Sequence, residues 1–295
     1  MKLKITIAIF VVAFLGLFLL LHANGSSSSD NAYSQMVSLS SNTEESLEIG
    51  EEDIDEVEPS EEPATSDSIF DICKPAPLTS VSEIIIKKKA YIVSYNPDTK
   101  VPNWVAWHLT GEHADGPIGR SNAFYADNAV PSPRATIEDY KGSGWSRGHM
   151  CPAGDNKWSE TAMYESFSLV NVCPQNASLN SGLWNSIEID CRRWAKQYGD
   201  IYIVCGPVFM NQEHETIGQN GVFVPEAFFK VVLCLNEPLK ALGFIVRNTD
   251  GNRKRDIYYN TIDQVERITG IDFFPILPDD IENEVESKLD LDLWR

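Results

Sequence analysis

The chain has 295 residues, 43% of them hydrophobic and 23% charged, enough to bury a sizeable core with further segments beside it. Its formal net charge of −19 argues against a protein held tightly to nucleic acid by overall cationic charge. The acid sits at the ends: residues 1–73 carry a net −12, residues 279–295 a net −5, and residues 74–278 only −2.

At the N-terminus Lys2 and Lys4 precede an apolar run over residues 5–21, followed by His22-Ala23-Asn24-Gly25 and a serine tract. This pattern predicts a signal peptide or an N-terminal membrane anchor over residues 1–23. The 17-residue run is long for a signal-peptide core and short for a span. Cleavage near Ala23 releases the protein. Retention tethers it to the inner membrane with its domain outside, because the positive end stays in the cytoplasm. Both outcomes predict export, to the periplasm or the extracellular space. Residues 24–73 read as a disordered Ser/Glu-rich acidic linker, since Ser26-Ser27-Ser28-Ser29 and the acidic run over 44–62 offer little to bury. The folded domain is expected over 74–295, with an acidic end at 279–295.

From Ile84 the pattern changes to strands. Residues 89–95 and 104–109 flank an Asn96-Pro97-Asp98 turn and predict antiparallel neighbours. Next comes Ser146-Arg147-Gly148-His149-Met150, preceded by Gly142-Ser143-Gly144; such glycines allow close backbone approach and unusual dihedrals. A second block, Asn171-Val172-Cys173-Pro174-Gln175, runs on to Asn180, Trp184, Glu188 and Arg192. These last four recur every four residues. At ~100° per helical residue each step drifts only ~40°, so the side chains would follow one shallow stripe of a helix. Asn180 would stand near its N-terminal end, where the dipole favours phosphate, and Glu188 and Arg192 could pair. Farther on, residues 201–209, 227–235 and 241–247 read as buried strands. Residues 261–269 read as a helix, with Thr261 and Gln264 as a capping box and Gly270 as its stop. Without regular βαβ alternation the fold class is α+β, a central antiparallel sheet with helices packed on it.

Taken singly, each block has an ordinary reading: a histidine in a loop or core, and a surface helix with one salt bridge and a buried tryptophan. Together they supply one histidine, one amide, one carboxylate and two guanidiniums. Hydrolysis of a phosphodiester with a single hard cation needs that set: a base for the attacking water, and a cation with fixed positive donors for the growing charge. Six cysteines, Cys73, Cys151, Cys173, Cys191, Cys205 and Cys234, permit up to three disulfides in an exported chain. A zinc cluster is the weaker reading, because no Cys-x-x-Cys pair exists. Cys205 and Cys234 fall in expected core strands and read equally well as buried thiols.

The two blocks resemble the DNA/RNA non-specific endonuclease family, the ββα-metal nucleases that include secreted sugar-non-specific nucleases and mitochondrial endonuclease G. The family pattern is Asp-Arg-Gly-His, then Asn-x-x-Pro-Gln, then Asn, Trp, Glu and Arg at four-residue steps. Here Ser146 stands where Asp is usual, which predicts an altered loop contact with the chemistry retained. Residues 139–144 resemble the family's lead-in, residues 205–209 and 224–230 resemble its core strands, and the likeness runs over about 84–278. The resemblance implies the ββα-metal nuclease fold and metal-dependent, largely sequence-non-specific cleavage of DNA and RNA. It also implies roles: His149 as general base, Asn180 as the direct protein ligand of one Mg²⁺ (Mn²⁺ being the substitute ion), and Glu188 holding metal-bound water. Arg147 and Arg192 would bind the scissile phosphate, Asn171 would support the site, and Arg120 resembles an upstream arginine that touches phosphate. The partners expected are the DNA and RNA substrates, with an inhibitor protein and a homodimer left open. The alternatives are a non-catalytic domain that binds nucleic acid or a protein partner, and a phosphodiesterase for small molecules.

Overall fold

A computed structural model describes residues 66–295, so the expected signal or anchor over 1–23, the serine tract and the acidic run lie outside the described residues. Among the described residues no helix is long and apolar enough to cross a membrane. Helix α1 (Ser66–Cys73) opens the fold and packs on the sheet. Seven strands form that sheet in the order β1 (Ile84–Lys87), β2 (Ile92–Asn96), β3 (Val101–Thr110), β6 (Asp200–Val208), β9 (Ala227–Cys234), β10 (Lys240–Arg247) and β11 (Tyr259–Asn260). Every neighbouring pair is antiparallel. Two small ribbons stand apart, β4 (Ser146–His149) with β5 (Val172–Gln175), and β7 (Thr216–Ile217) with β8 (Val222–Phe223).

The expected strands form where the sequence places them. The β2–β3 hairpin closes because Asn96 Oδ1 accepts the Asp98 and Thr99 N–H groups at 2.9 and 3.4 Å, a side-chain-mediated turn. Between β3 and β6 the chain makes short helices α2 (Gly111–Asp115), α3 (Ile137–Tyr140), α4 (Glu160–Ser166) and α5 (Ala177–Leu179), then the long α6 (Asn185–Tyr198). Val105, Cys205, Lys230 and Phe244 are register partners across β3, β6, β9 and β10, so they share one face of the sheet. Trp184, just before α6, packs on that face against Phe228, with ring centroids 5.5 Å apart. Helix α7 (Ile262–Thr269) covers the other face, where Val265 lies so close to Gly243 that a Cβ there would collide with it. Helix α8 (Asp279–Ser287) packs on α7 and β10. Trp104, Trp107, Trp184 and Trp194 are all fully buried, each worth on the order of 1.5–3 kcal/mol by analogy with other large apolar side chains.

The Thr261–Gln264 capping box is present in both directions, and Gly270 ends α7 at φ 69°. Two expectations change. The folded domain begins before residue 74: Phe70, Ile72 and Cys73, placed in the linker by their acidic neighbours, are buried against the sheet. At the acidic end, within the domain, Trp194 Nε1 donates to the Trp294 carbonyl at 2.8 Å and the two rings lie 4.7 Å apart. Finally, all six cysteines are free thiols, and all are buried. Their side chains are spread through the apolar interior as packing groups, instead of being paired at its edges.

Candidate active site

Two short strands aim the histidine. Gly142 and Gly144 take φ values of 70° and 85°, a left-handed conformation that suits glycine, and turn the chain from α3 into β4. In β4, Gly148 lies opposite Cys173, and a Cβ at Gly148 would collide with the Gln175 side chain. Past His149, the Met150 N–H bonds to the Asn171 carbonyl at 2.9 Å. Asn171 is fully buried and spends its amide on backbone: Nδ2 donates to the carbonyls of Cys151 (2.8 Å) and Ser166 (2.9 Å), and Oδ1 accepts from Cys151 N–H (2.8 Å). It ties the segment after His149 to the end of α4.

His149 is only 7% exposed. Its ring packs against Phe124 and Phe167, with centroids 5.0 and 4.8 Å away, and its Nε2 has no hydrogen-bond partner. Arg147 lies on the Phe124 ring at 4.4 Å, and the exposed Arg120 lies over Phe167 at 5.4 Å. Burial, then the charges of Arg120 and Arg147, push the His149 pKa down to about 3. The imidazole is therefore neutral at ordinary pH and keeps a lone pair free to accept a proton.

The four-residue recurrence survives, but not on one regular helix as expected. Asn176 caps α5 by accepting the N–H groups of Ser178 and Leu179. Asn180–Trp184 then forms a wide π turn, with Gly182 at φ −102° and ψ −105°, and regular α-helix begins only at Asn185. Asn180 thus belongs to an irregular turn that leads into α6; such widened turns recur at functional sites. It is half-buried, and its side chain makes no hydrogen bond among the described residues. Glu188 lies one turn into α6, with its side chain 13% exposed. Arg192 Nη1 is 4.0 Å from Glu188 Oε2, so the i,i+4 pair is long. Its close partner is Asp155, at 2.9 Å.

Asp155 and Lys230 belong to the same cluster and were missed in the sequence. Asp155 ends a short turn after β4, is 3% exposed, and also accepts the Trp107 indole N–H at 3.2 Å. Nothing local marks it. Lys230 did leave a signal, a lone charge in the otherwise apolar strand Ala227–Cys234. It is fully buried, its Nζ lies 4.8 Å from the Trp184 ring and 5.2 Å from the Trp107 ring, and it has no hydrogen-bond partner. Burial works against the ammonium, but Cys205, Cys191, Glu188 and Asp155 push its pKa up; the two thiols are uncharged at neutral pH, so there the carboxylates are what favour the ammonium. Burial raises the Asp155 pKa, with Arg192 and then Lys230 opposing. Burial also raises Glu188 to about 7, against the pull of Lys230. Burial disfavours the Arg192 guanidinium, and Asp155 overcomes it.

Cations thus converge here although the whole chain is acidic. A separate groove of about 540 Å³ is lined by Leu183 of the π turn, Ser186 and the segment Arg253-Lys254-Arg255-Asp256, in which Arg255 pairs with Asp190. The arrangement offers a neutral base in an apolar pocket, hard oxygen donors at Asn180 and Glu188, and the guanidiniums of Arg120, Arg147 and Arg192 close enough to act on His149 or Glu188.

The sequence profile of the DNA/RNA non-specific endonuclease family matches residues 70–280. The mitochondrial nuclease EXOG of Xenopus laevis is 36% identical over 222 residues, covering 70% of this chain and 62% of the relative. A nuclease of Nostoc sp. is 30% identical over 232 residues, covering 73% of this chain and 82% of the relative. Among solved structures, a complex of EndoG with its inhibitor EndoGI superposes with a TM-score of 0.67 at 27% identity, over 74% of this chain and 95% of that one. The chain spans less than two thirds of the length of the EXOG relatives it matches.

Proposed function

Because the chain belongs to the DNA/RNA non-specific endonuclease family, we propose that it hydrolyses phosphodiester bonds in DNA and RNA with little base preference. One observation carries this reading: the buried His149 Nε2 is left without a protein partner between two arginines. A buried ring nitrogen without a protein partner calls for an explanation, and a proton-accepting role supplies one. In this role His149 takes the proton of the attacking water. A phosphodiester anion on Arg147 and Arg120 cancels the charges that depress the imidazole, and so raises its basicity once substrate is bound. Arg192, fixed by Asp155, faces the charge that grows on the phosphoryl group. These contacts are to phosphate and not to base edges, which favours broad substrate choice.

The donors fit a hard cation: an amide oxygen at Asn180 with no competing hydrogen bond among the described residues, and the largely buried carboxylate of Glu188. Mg²⁺ is the ion of choice, with Mn²⁺ able to substitute; bound there it would polarise the phosphate and lower the pKa of water. Asn180 would hold the ion directly and Glu188 would orient its water, while Asn171 acts through the backbone it ties down. An inhibitor protein is a reasonable partner, since EndoG has been solved in complex with one. Export through residues 1–23, by cleavage or as a tether to the inner membrane, completes the proposal, and a homodimer stays an open alternative to the monomer. The test is purified protein with plasmid, with RNA and with bis(p-nitrophenyl) phosphate, in Mg²⁺ or in EDTA. Metal-dependent loss of both polymers is expected. Cleavage of the small diester alone, or undiminished cleavage in EDTA, overturns it.

A further inference from the structure

On the far side of the sheet from His149 is a cluster that the nuclease reading does not use. Asp263 and Glu266 stand three residues apart on α7 and so share a face. Glu286, in the last turn of α8, meets them there. One carboxylate oxygen from each lies within 4.8 Å of the other two. Glu286 is 6% exposed, and its Oε1 is buried with no hydrogen-bond partner. Of the three, Glu266 has a backbone contact, accepting the Phe273 N–H at 2.8 Å. Among the described residues no lysine or arginine forms an ion pair with any of them. Glu282 and Asp272 add further negative charge around Glu286.

An unpaired buried carboxylate is costly, and two more beside it raise the cost. A cluster of this kind needs either protons or a cation. We propose that Asp263, Glu266 and Glu286 form a structural site for a divalent cation of the calcium class, which fastens α8 to α7. The donors are all hard oxygens. Oxygens bound to one Ca²⁺ at ~2.4 Å lie up to about twice that far apart, a span that accommodates this cluster. Carboxylates can bind through one or both oxygens, and Ca²⁺ tolerates the irregular geometry that two packed helices offer. The site's purpose follows from its place. Helix α8 has acidic residues throughout and no basic residue in its last turn, so it has little electrostatic reason to lie on an acidic stretch of α7. A shared cation supplies one, and holds the C-terminal segment whose Trp294 packs on Trp194.

The experiment is thermal unfolding of the full chain in the Asn180→Ala background, with Ca²⁺ or with EDTA, and with Glu286→Gln and Asp263→Asn added in turn. Ca²⁺ at roughly a hundred times its dissociation constant should raise Tm by about 5 °C or more. Glu286→Gln should fold, be at least as stable as its parent in EDTA, and lose that gain; Asp263→Asn should reduce it. A Tm that does not respond to Ca²⁺, a gain that survives Glu286→Gln, or a Tm that responds to pH while ignoring Ca²⁺ would overturn the proposal, the last by assigning the cluster to protons.

Discussion

At the scale of single residues, the proposed mechanism rests on burial. His149 can serve as a base because its surroundings keep it neutral: Phe124 and Phe167 exclude water, and two arginines repel a proton. Replacing it with alanine is expected to lower turnover by about 10²–10⁴-fold, the usual worth of a general base. The same measurement should include Tm, and a folded variant with near-normal cleavage would remove His149 from the mechanism. The pH profile is expected to report Glu188 and not His149. With its pKa raised to about 7 in the absence of metal, Glu188 loses its charge, and with it its hold on water, as pH falls through that region. Added Mg²⁺ favours the ionised form, so the acid limb should move to lower pH as Mg²⁺ is raised. The Lys230 ammonium is the strongest charge opposing the rise, so Lys230→Met should move the limb to higher pH and increase the Mg²⁺ requirement. An acid limb unmoved by either change would show that another group titrates.

Among the elements, the β4–β5 ribbon and the π turn matter most. Neither is long enough to be stable alone, and both are held by side-chain-to-backbone bonds. Asn171 makes three of these, and removing them exposes no catalytic group. Asn171→Ala should therefore lower stability by about 2–4 kcal/mol, counted as buried hydrogen bonds at roughly 1 kcal/mol each with a penalty for groups left unpaired. Activity should fall together with stability, and should partly recover where the folded state is favoured, as in stabilising osmolyte. A variant of unchanged Tm but abolished turnover would make Asn171 a direct participant. Asn248 has a similar role nearby, accepting the Asn176 N–H at 2.8 Å and donating to the Pro174 and Pro225 carbonyls. It anchors the start of the segment that leads to Asn180.

For the whole molecule, charge and boundary decide behaviour. The net −12 of residues 1–73 lies ahead of a domain that is nearly neutral over 74–278. Those acids should repel a polyanion over about a Debye length, ~8–10 Å at moderate salt. The chain cut to residues 63–295 should cleave DNA at least as fast as residues 24–295, with any gain shrinking as salt rises. Cutting at 74 instead removes Phe70, Ile72 and Cys73 from the sheet and should lower Tm by several degrees, since each large buried side chain lost costs about 2–5 kcal/mol. Equal Tm for the two truncated proteins would mean that α1 adds nothing to the domain, and a much slower 63–295 chain would give the linker a role in the site.

The sequence by itself determined the α+β class, the strands β2, β3, β6, β9 and β10, the capped helix α7 and the family. Those features are written locally, in alternation, turn residues, capping boxes and spaced motifs, and local patterns can be read without coordinates. It also named His149, Arg147, Glu188 and Arg192, because those side chains sit in ordered blocks. Only the tertiary structure decided what they touch. The pairing of Arg192 with Asp155 joins residues 37 apart, and no local pattern encodes it. Lys230 reads as an oddity in a strand until β9 is laid beneath Trp184 and Trp107. Asn180 follows the four-residue rhythm, but the rhythm does not distinguish a π turn from a helix. Burial settled the rest, from the neutral state of His149 to the free thiols and the docking of α1, because it depends on which surfaces meet in space.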